Sequence, residues 1–195
     1  MRVGVVQDVG YQPSVAVTDT GLGVLVQQVL DAEEDASPLF FQLLIELVER
    51  RIAVLVERAK TVIGDYWTER DMVTHERPRS EWSRLGVRAR LHQGNIRIEW
   101  FVQHWHRQSG TKGRWLTFSK HIPKGRGSRY PTTAFKPYAK DWELPLIEKC
   151  EDRLDSIRRE AAVLAELRKS AKRRLADHKK TSATLNSTRP DQNRL

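Results

Sequence analysis

Apolar residues recur every three or four positions along the stretch that begins at Ser37, and charged side chains occupy the positions between them. This spacing predicts a long amphipathic helix that ends near residue 70. Ser37 and Pro38 stand at its start as N-cap and first helical residue, where both residue types are favoured. The apolar stripe consists of Leu44, Val48, Ile52, Leu55, Ala59, Val62 and Tyr66.

After Pro78 the pattern changes to alternation, which is typical of strands with one buried face. Leu85 to His92 alternates, Gln93-Gly94-Asn95 is a turn signal, and Ile96 to Trp105 alternates again. A polar loop with two glycines follows, and Arg114 to Ile122 reads as a third strand. Three strands joined by short loops predict an antiparallel meander. The side chains expected to face the helices are Val87, Ala89, Leu91, Ile96, Ile98 and Trp100.

A second long helix is predicted over residues 143–178, because apolar positions there alternate in steps of three and four. Arg168 is the one residue out of character in this seam. The pattern is compatible with packing on the first helix and with a homodimer formed through the seam, and it does not choose between them. The seam consists of Ile147, Cys150, Leu154, Ile157, Ala161, Leu164, Arg168, Ala171 and Leu175.

The predicted fold class is therefore α+β: a long helix, a three-stranded antiparallel meander, a basic glycine-rich loop and a second long helix, in one domain over residues 37–180. Residues 1–36 are expected to be a poorly ordered lead-in, and residues 181–195 a disordered tail. No apolar stretch is long enough to span a membrane, the start lacks a signal sequence, and Cys150 is the only cysteine. These features favour a cytoplasmic protein.

Charge is divided unevenly along the chain, whose formal net charge is +9. Residues 1–81 carry 8 basic and 14 acidic side chains, whereas residues 82–195 carry 26 basic and 11 acidic ones. The window 82–131 holds 11 Lys or Arg and a single acid, Glu99. Ordinary surfaces mix both signs, so this window predicts a polyanionic partner such as DNA.

Two groups of residues are candidates for nucleic-acid contact. On the meander, the face opposite the core carries arginines that can bind phosphates or guanine, and Trp105 can stack on a base or cover arginine stems. In the glycine-rich loop, the backbone can approach a phosphate closely. The candidates are Arg88, Arg90, Arg97, Trp105, Arg114 and Lys120 on the strands, and Lys124, Arg126, Arg129 and Tyr130 in the loop.

His104-Trp105-His106 places two imidazoles on one face of a strand, where they are weak candidates for binding a divalent metal. The pattern is similar to that of HUH nucleases, with Tyr138 in the place of their tyrosine nucleophile. No third ligand is evident, and Glu99 alone is too little for a magnesium site held by carboxylates. The sequence therefore favours a protein that is not an enzyme and needs no cofactor, with an HUH-like DNA nickase as an alternative.

Several motifs together resemble the MobI family of accessory proteins in conjugative transfer, found on integrative conjugative elements and related plasmids. The resemblance implies a cytoplasmic factor that binds double-stranded DNA at the origin of transfer and assists a separate relaxase without cutting DNA. It covers residues 82–160. The motifs are Arg88-x-Arg90, Gly94-x-Ile96-x-Ile98-x-Trp100, Lys124-Gly125-x-Gly127-x-x-Tyr130, Phe135-x-x-x-Ala139-x-x-Trp142-Glu143, and Glu151 through Ile157-Arg158.

Two further alternatives stay open. An RNA-binding protein would show the same basic charge, although no recognisable feature of the sequence reads a 2′-hydroxyl. A structural coiled-coil partner would carry the basic face only incidentally.

Overall fold

The computed structural model describes residues 37–107 and 115–187, together with the isolated positions Val24, Gln27 and Gln28. Two long helices flank three strands, which confirms the predicted α+β fold. Three short 3₁₀ helices lie in the connections, at Arg79–Glu81, Thr132–Ala134 and Asp141–Glu143. The main elements are α1 (Ser37–His75), β1 (Leu85–His92), β2 (Asn95–Arg107), β3 (Trp115–His121) and α2 (Leu144–Ser187).

Both helices are longer than the sequence predicts. Helix α1 continues past residue 70 to His75, and α2 continues past residue 178 to Ser187. Residues 181–187 are therefore helical, and their assignment to a disordered tail is wrong. The predicted lead-in, apart from the three isolated positions, lies outside the described residues, as does the chain after Ser187. None of the described helices combines the length and apolarity that a membrane crossing requires.

The sheet has the order β1-β2-β3, and both pairs of strands are antiparallel. The pairing of β1 with β2 runs from Leu85 opposite Val102 to His92 opposite Asn95. Because β2 is 13 residues long and β1 only 8, the far end of β2 has β3 as its only partner strand. Residues 104–107 and 115–118 thus form a two-stranded extension beyond β1, which we call the ribbon.

A two-residue turn joins β1 to β2, and both of its residues have positive φ, 51° at Gln93 and 70° at Gly94. This conformation is that of the type I′ turn, which matches the twist of a hairpin. Arg168 of α2 donates hydrogen bonds to the carbonyl oxygens of both turn residues and to Oδ1 of Asn95. The exception in the apolar seam of α2 is therefore the residue that holds the turn against the helix.

The apolar face of the sheet packs on the helices largely as predicted. Val87, Ile98 and Trp100 are buried in one cluster with residues of α1 and α2, while Ala89 and Ile96 are partly buried against it. Leu91 departs from the prediction, since 37% of its surface is exposed. It lies at the end of β1, where it lines an open cleft with Glu49, Arg168 and Lys172 instead of the core.

Helix α1 covers the apolar seam of α2 within the same chain. Ile147, Cys150, Leu154, Ile157 and Ala171 are all buried. Ion pairs cross between the two antiparallel helices, with N···O distances of 2.5 Å for Lys149–Glu69, 2.6 Å for Arg153–Asp65 and 2.6 Å for Arg51–Glu160. The seam therefore pairs the two helices, and the alternative of a homodimer formed through it is not supported.

Two buried carboxylates link the elements of the core. Glu143 accepts a hydrogen bond of 2.7 Å from Tyr66 Oη, and burial raises the pKa of this carboxyl above its ordinary value. Glu151 accepts from Trp100 Nε1 at 2.5 Å, from the backbone N–H of Tyr130 at 2.9 Å, and from both terminal nitrogens of Arg158. Glu151 thereby joins β2, the glycine-rich loop and α2 at one point.

Cys150 gives a direct test of this packing. The thiol is buried in the core, and burial raises its pKa to about 12. Because the thiolate is the reactive form, we expect no reaction of the native protein with an aromatic disulfide reagent at pH 8. One thiol per chain should react after denaturation in guanidinium chloride. Stoichiometric reaction of the native protein within minutes would contradict this arrangement of α2.

Candidate nucleic-acid interface

Three arginines converge on one carboxylate at the face of the sheet that points away from the helices. The nearest N···O distances to the Glu99 carboxylate are 3.2 Å for Arg88, 3.1 Å for Arg90 and 2.7 Å for Arg97. Strand alternation places all four side chains on one face, because Arg88 pairs with Glu99 and Arg90 with Arg97 across the two strands. We call these three arginines with Glu99 the arginine cluster.

The arginines of the cluster are exposed to solvent, whereas its one acid is buried. The arginine side chains are 44%, 45% and 50% exposed, whereas the Glu99 side chain is 6% exposed. Each guanidinium has five N–H donors, and one carboxylate has two oxygens, so most donors stay available. The next 41 residues, 100–140, contain nine Lys or Arg and no acid. The single acid of the basic window is thus the centre that orders the arginines.

Phe101 supports the cluster and does not offer a stacking surface. It is buried under the Arg88 guanidinium, whose carbon lies 5.3 Å from the ring centre. Gly86 opposite it leaves the space for the ring, since a Cβ there would lie 2.5 Å from Phe101 Cζ. Trp105 differs, because it is 48% exposed with Arg84 5.7 Å from its ring.

His121 lies at the margin of the arginine cluster and was not predicted. Its Nε2 is 4.0 Å from a Glu99 oxygen and 3.3 Å from Tyr130 Oη. It joins the cluster because β3 pairs it with Phe101. Only the register of β3 on β2 reveals this, since the sequence predicts that the two strands are neighbours but not which of their residues pair.

The ribbon carries exposed aromatic side chains on both faces. Phe118 is 53% exposed and stacks on His104 with ring centres 5.1 Å apart, and Trp105 lies on the other face. Lys120 pairs with Val102, so it lies on the face of the sheet opposite the arginine cluster. Arg114 and the side chain of His106 lie outside the described residues.

The glycine-rich loop folds back onto α2. Lys124 Nζ donates to the carbonyl oxygen of Gly127, and Arg129 forms an ion pair with Asp152. Arg126 is exposed. Tyr130 is buried, with the Arg158 guanidinium 5.1 Å from its ring, so its side chain has almost no surface exposed to a ligand. Within the loop, Arg126 is therefore available to a ligand, whereas the cations of Lys124 and Arg129 already have partners in the protein.

Of the residues proposed for metal-dependent nicking, the side chains of His104 and Tyr138 lie within the described part of the chain, and that of His106 lies outside it. Within it, no group of three or more His, Cys, Asp or Glu side chains is arranged to hold a metal ion. His104 instead stacks on Phe118, and Tyr138 is partly exposed in the connection between β3 and α2.

Comparison with known proteins identifies the family. A family model described as MobI protein matches residues 55–172, which is more than half of the chain and includes the sheet, the loop and most of both helices. No curated protein and no solved structure matches the chain. The chain therefore belongs to the MobI family, and its role is related to mobilisation or conjugation.

Proposed function

We propose that this protein binds duplex DNA at the origin of conjugative transfer and assists a separate relaxase. The observation that carries the proposal is the arginine cluster, in which one buried carboxylate orders three half-exposed guanidinium groups. Arginine is suited to phosphate because its planar fork can donate two parallel hydrogen bonds. The role at the origin of transfer rests on membership of the MobI family.

The dimensions of the sheet also support a duplex partner. A two-stranded ribbon is narrow enough to enter the major groove, and this one extends past β1 with Trp105 exposed on the cluster side. In the resulting arrangement the arginine cluster contacts backbone phosphates and sets the position of the protein on the DNA. The ribbon then reaches the base edges, where sequence is read.

The distribution of charge argues against unspecific adhesion. Helix α1 is nearly neutral, with six acidic side chains and five Lys or Arg, whereas the sheet has Glu99 as its one acid. A polyanion is therefore attracted to one side of the molecule.

The test is a salt titration of binding to three labelled ligands: a duplex with the origin of transfer, a scrambled duplex of equal length, and a matched RNA duplex. We expect log K to fall linearly with log salt on all three, with the tightest binding to the origin duplex and the weakest to RNA. Affinity that is independent of salt would contradict phosphate contact. Equal affinity for origin and scrambled DNA would contradict recognition of the origin, and preference for RNA would favour the RNA-binding alternative.

A further inference from the structure

A second group of basic side chains lies on α2, on the part of the helix beyond the sheet. Residues 169–180 contain six Lys or Arg and one acid, Asp177. All six basic residues are exposed. On its other side this helix is anchored to α1. The placement of the six side chains indicates whether they bind a partner or only face solvent. The six are Lys169, Lys172, Arg173, Arg174, Lys179 and Lys180.

Helical geometry places half of these cations on the face of α2 that carries Arg158. Arg158, Lys169 and Lys180 follow one another at intervals of 11 residues, which is about three turns, so they share one face. Arg173 is one turn after Lys169. Arg158 marks the direction of this face, because it binds Glu151 and the carbonyl oxygen of Ser128 in the glycine-rich loop. We call Lys169, Arg173 and Lys180 the α2 strip.

The α2 strip begins where the sheet ends. Arg168 immediately before it holds the turn between β1 and β2, and Lys172 lines the cleft beside that turn. Arg90 and Arg97 pair with each other three residues before and three residues after the same turn. The strip therefore extends the positive charge of the molecule past the turn end of the sheet, roughly 100–140° around α2 from Arg168.

Among the described residues, the cations of the strip have few carboxylates as partners. Lys169 lies 4.0 Å from Glu166, and Lys172, beside the strip, lies 3.5 Å from Glu49; both pairs are at the surface, where such pairs contribute little. Among the described residues, no carboxylate lies within 4.0 Å of Arg173 or Lys180. Their charge is therefore available to an external anion.

The chemistry of this face fits a polyanion better than a protein. Interfaces between proteins have apolar or aromatic residues at their centres. The exposed apolar residues of α2, Val163 and Leu167, lie roughly 120–160° around the helix from Lys169. Between its cations the strip has only Ser170, Ala176 and Asp177 facing solvent.

From this placement we infer that the α2 strip is a second contact on the same duplex, which binds backbone phosphates without reading bases. The inference rests on the proposed function. Lys169 and Lys180 are about 16 Å apart along the helix, the length of about 5 base pairs. The strip therefore extends the bound stretch of DNA past the part that the sheet covers.

The test compares the variant K169Q/R173Q/K180Q with the matched control R58Q/K149Q/R153Q. The control removes the same charge from the far side of the helix pair, where Lys149 and Arg153 face Glu69 and Asp65 of α1. Affinity is measured on duplexes that grow in steps of 2 base pairs, at several salt concentrations, and thermal midpoints verify that both variants fold.

The strip variant should reduce the slope of log K against log salt by about 2.7, or about 0.9 for each phosphate that the variant no longer neutralises. It should also reach full affinity on a duplex about 5 base pairs shorter than the wild type needs. The control should match the wild type in slope more closely than the strip variant does. A wild-type slope and length dependence in the strip variant would overturn the inference and leave the proposed function intact. A wild-type protein that binds no duplex would refute both.

Discussion

Replacement of Arg88, Arg90, Arg97 and Glu99 together by glutamine is expected to lower the affinity for duplex DNA by about 100-fold near physiological salt. The estimate assigns about 1 kcal/mol to each of three phosphate contacts, and every 1.4 kcal/mol is a factor of about 10. The slope of log K against log salt should fall by about 2.7. Fluorescence anisotropy with a labelled duplex measures both quantities.

Glu99 is included in this variant for a physical reason. Removal of the arginines alone would leave a buried carboxylate without its partners, and a broken buried pair costs about 3–5 kcal/mol of stability. Loss of binding would then be confused with unfolding. With all four residues changed, no buried charge is left unpaired, and circular dichroism should show a wild-type fold.

The single variant E99Q is the matched control. It retains all three arginines and raises the net positive charge by one, so its affinity for a scrambled duplex should equal or exceed that of the wild type. If the quadruple variant bound as tightly as the wild type, the arginine cluster would not be the contact surface. If E99Q lost binding as completely as the quadruple variant, the order imposed by Glu99 would matter more than the charge.

Glu151→Ala is expected to be the most destabilising single substitution at the junction of sheet, loop and α2, with a cost of about 3–5 kcal/mol. The substitution leaves Arg158 as a buried cation without its carboxylate. It also deprives the Trp100 indole N–H and the Tyr130 backbone N–H of their acceptor. Each buried donor without a partner adds a penalty of its own. Denaturation in urea measures the decrease in the free energy of unfolding.

Glu166→Ala is the control for this substitution, because Glu166 is an exposed glutamate on the same helix. Its effect should lie within about 0.5 kcal/mol of zero. Glu151→Gln should fall between the two, since it keeps an acceptor oxygen but removes the charge opposite Arg158. Equal stability of the Glu151→Ala variant and the wild type would show that the network does not hold the loop and the sheet to α2.

The elements themselves follow from local periodicity, and this is why they could be predicted. A stripe at helical spacing can bury one face only as a helix, and alternation can do so only as a strand. The type I′ turn at Gln93-Gly94 depends on two residues that tolerate positive φ, which is also a local property. Exposure of the arginines followed in the same way, since Arg88, Arg90 and Arg97 alternate with Val87, Ala89 and Ile98.

Contacts between distant residues were decided only by the assembled fold, because one sequence contains no record of which element packs on which. The register of β3 put His121 beside the arginine cluster and Lys120 on the opposite face. The fold-back of the loop onto α2 buried Tyr130, although its neighbours Arg126 and Arg129 are basic and polar. Glu99 is a lone exception in a basic window by sequence, and the fold places three arginines around it.

Arg168 shows both what the local sequence determines and what only the fold decides. Periodicity marked it as an irregularity in an apolar seam, and that observation was correct as far as local spacing extends. Its reason lies 73 to 75 residues away, in a turn whose carbonyl and amide oxygens need donors. Helix spacing, strand alternation and charge balance depend on residues that are close together in the sequence. The partner of a buried or half-buried polar group depends on how the whole chain packs.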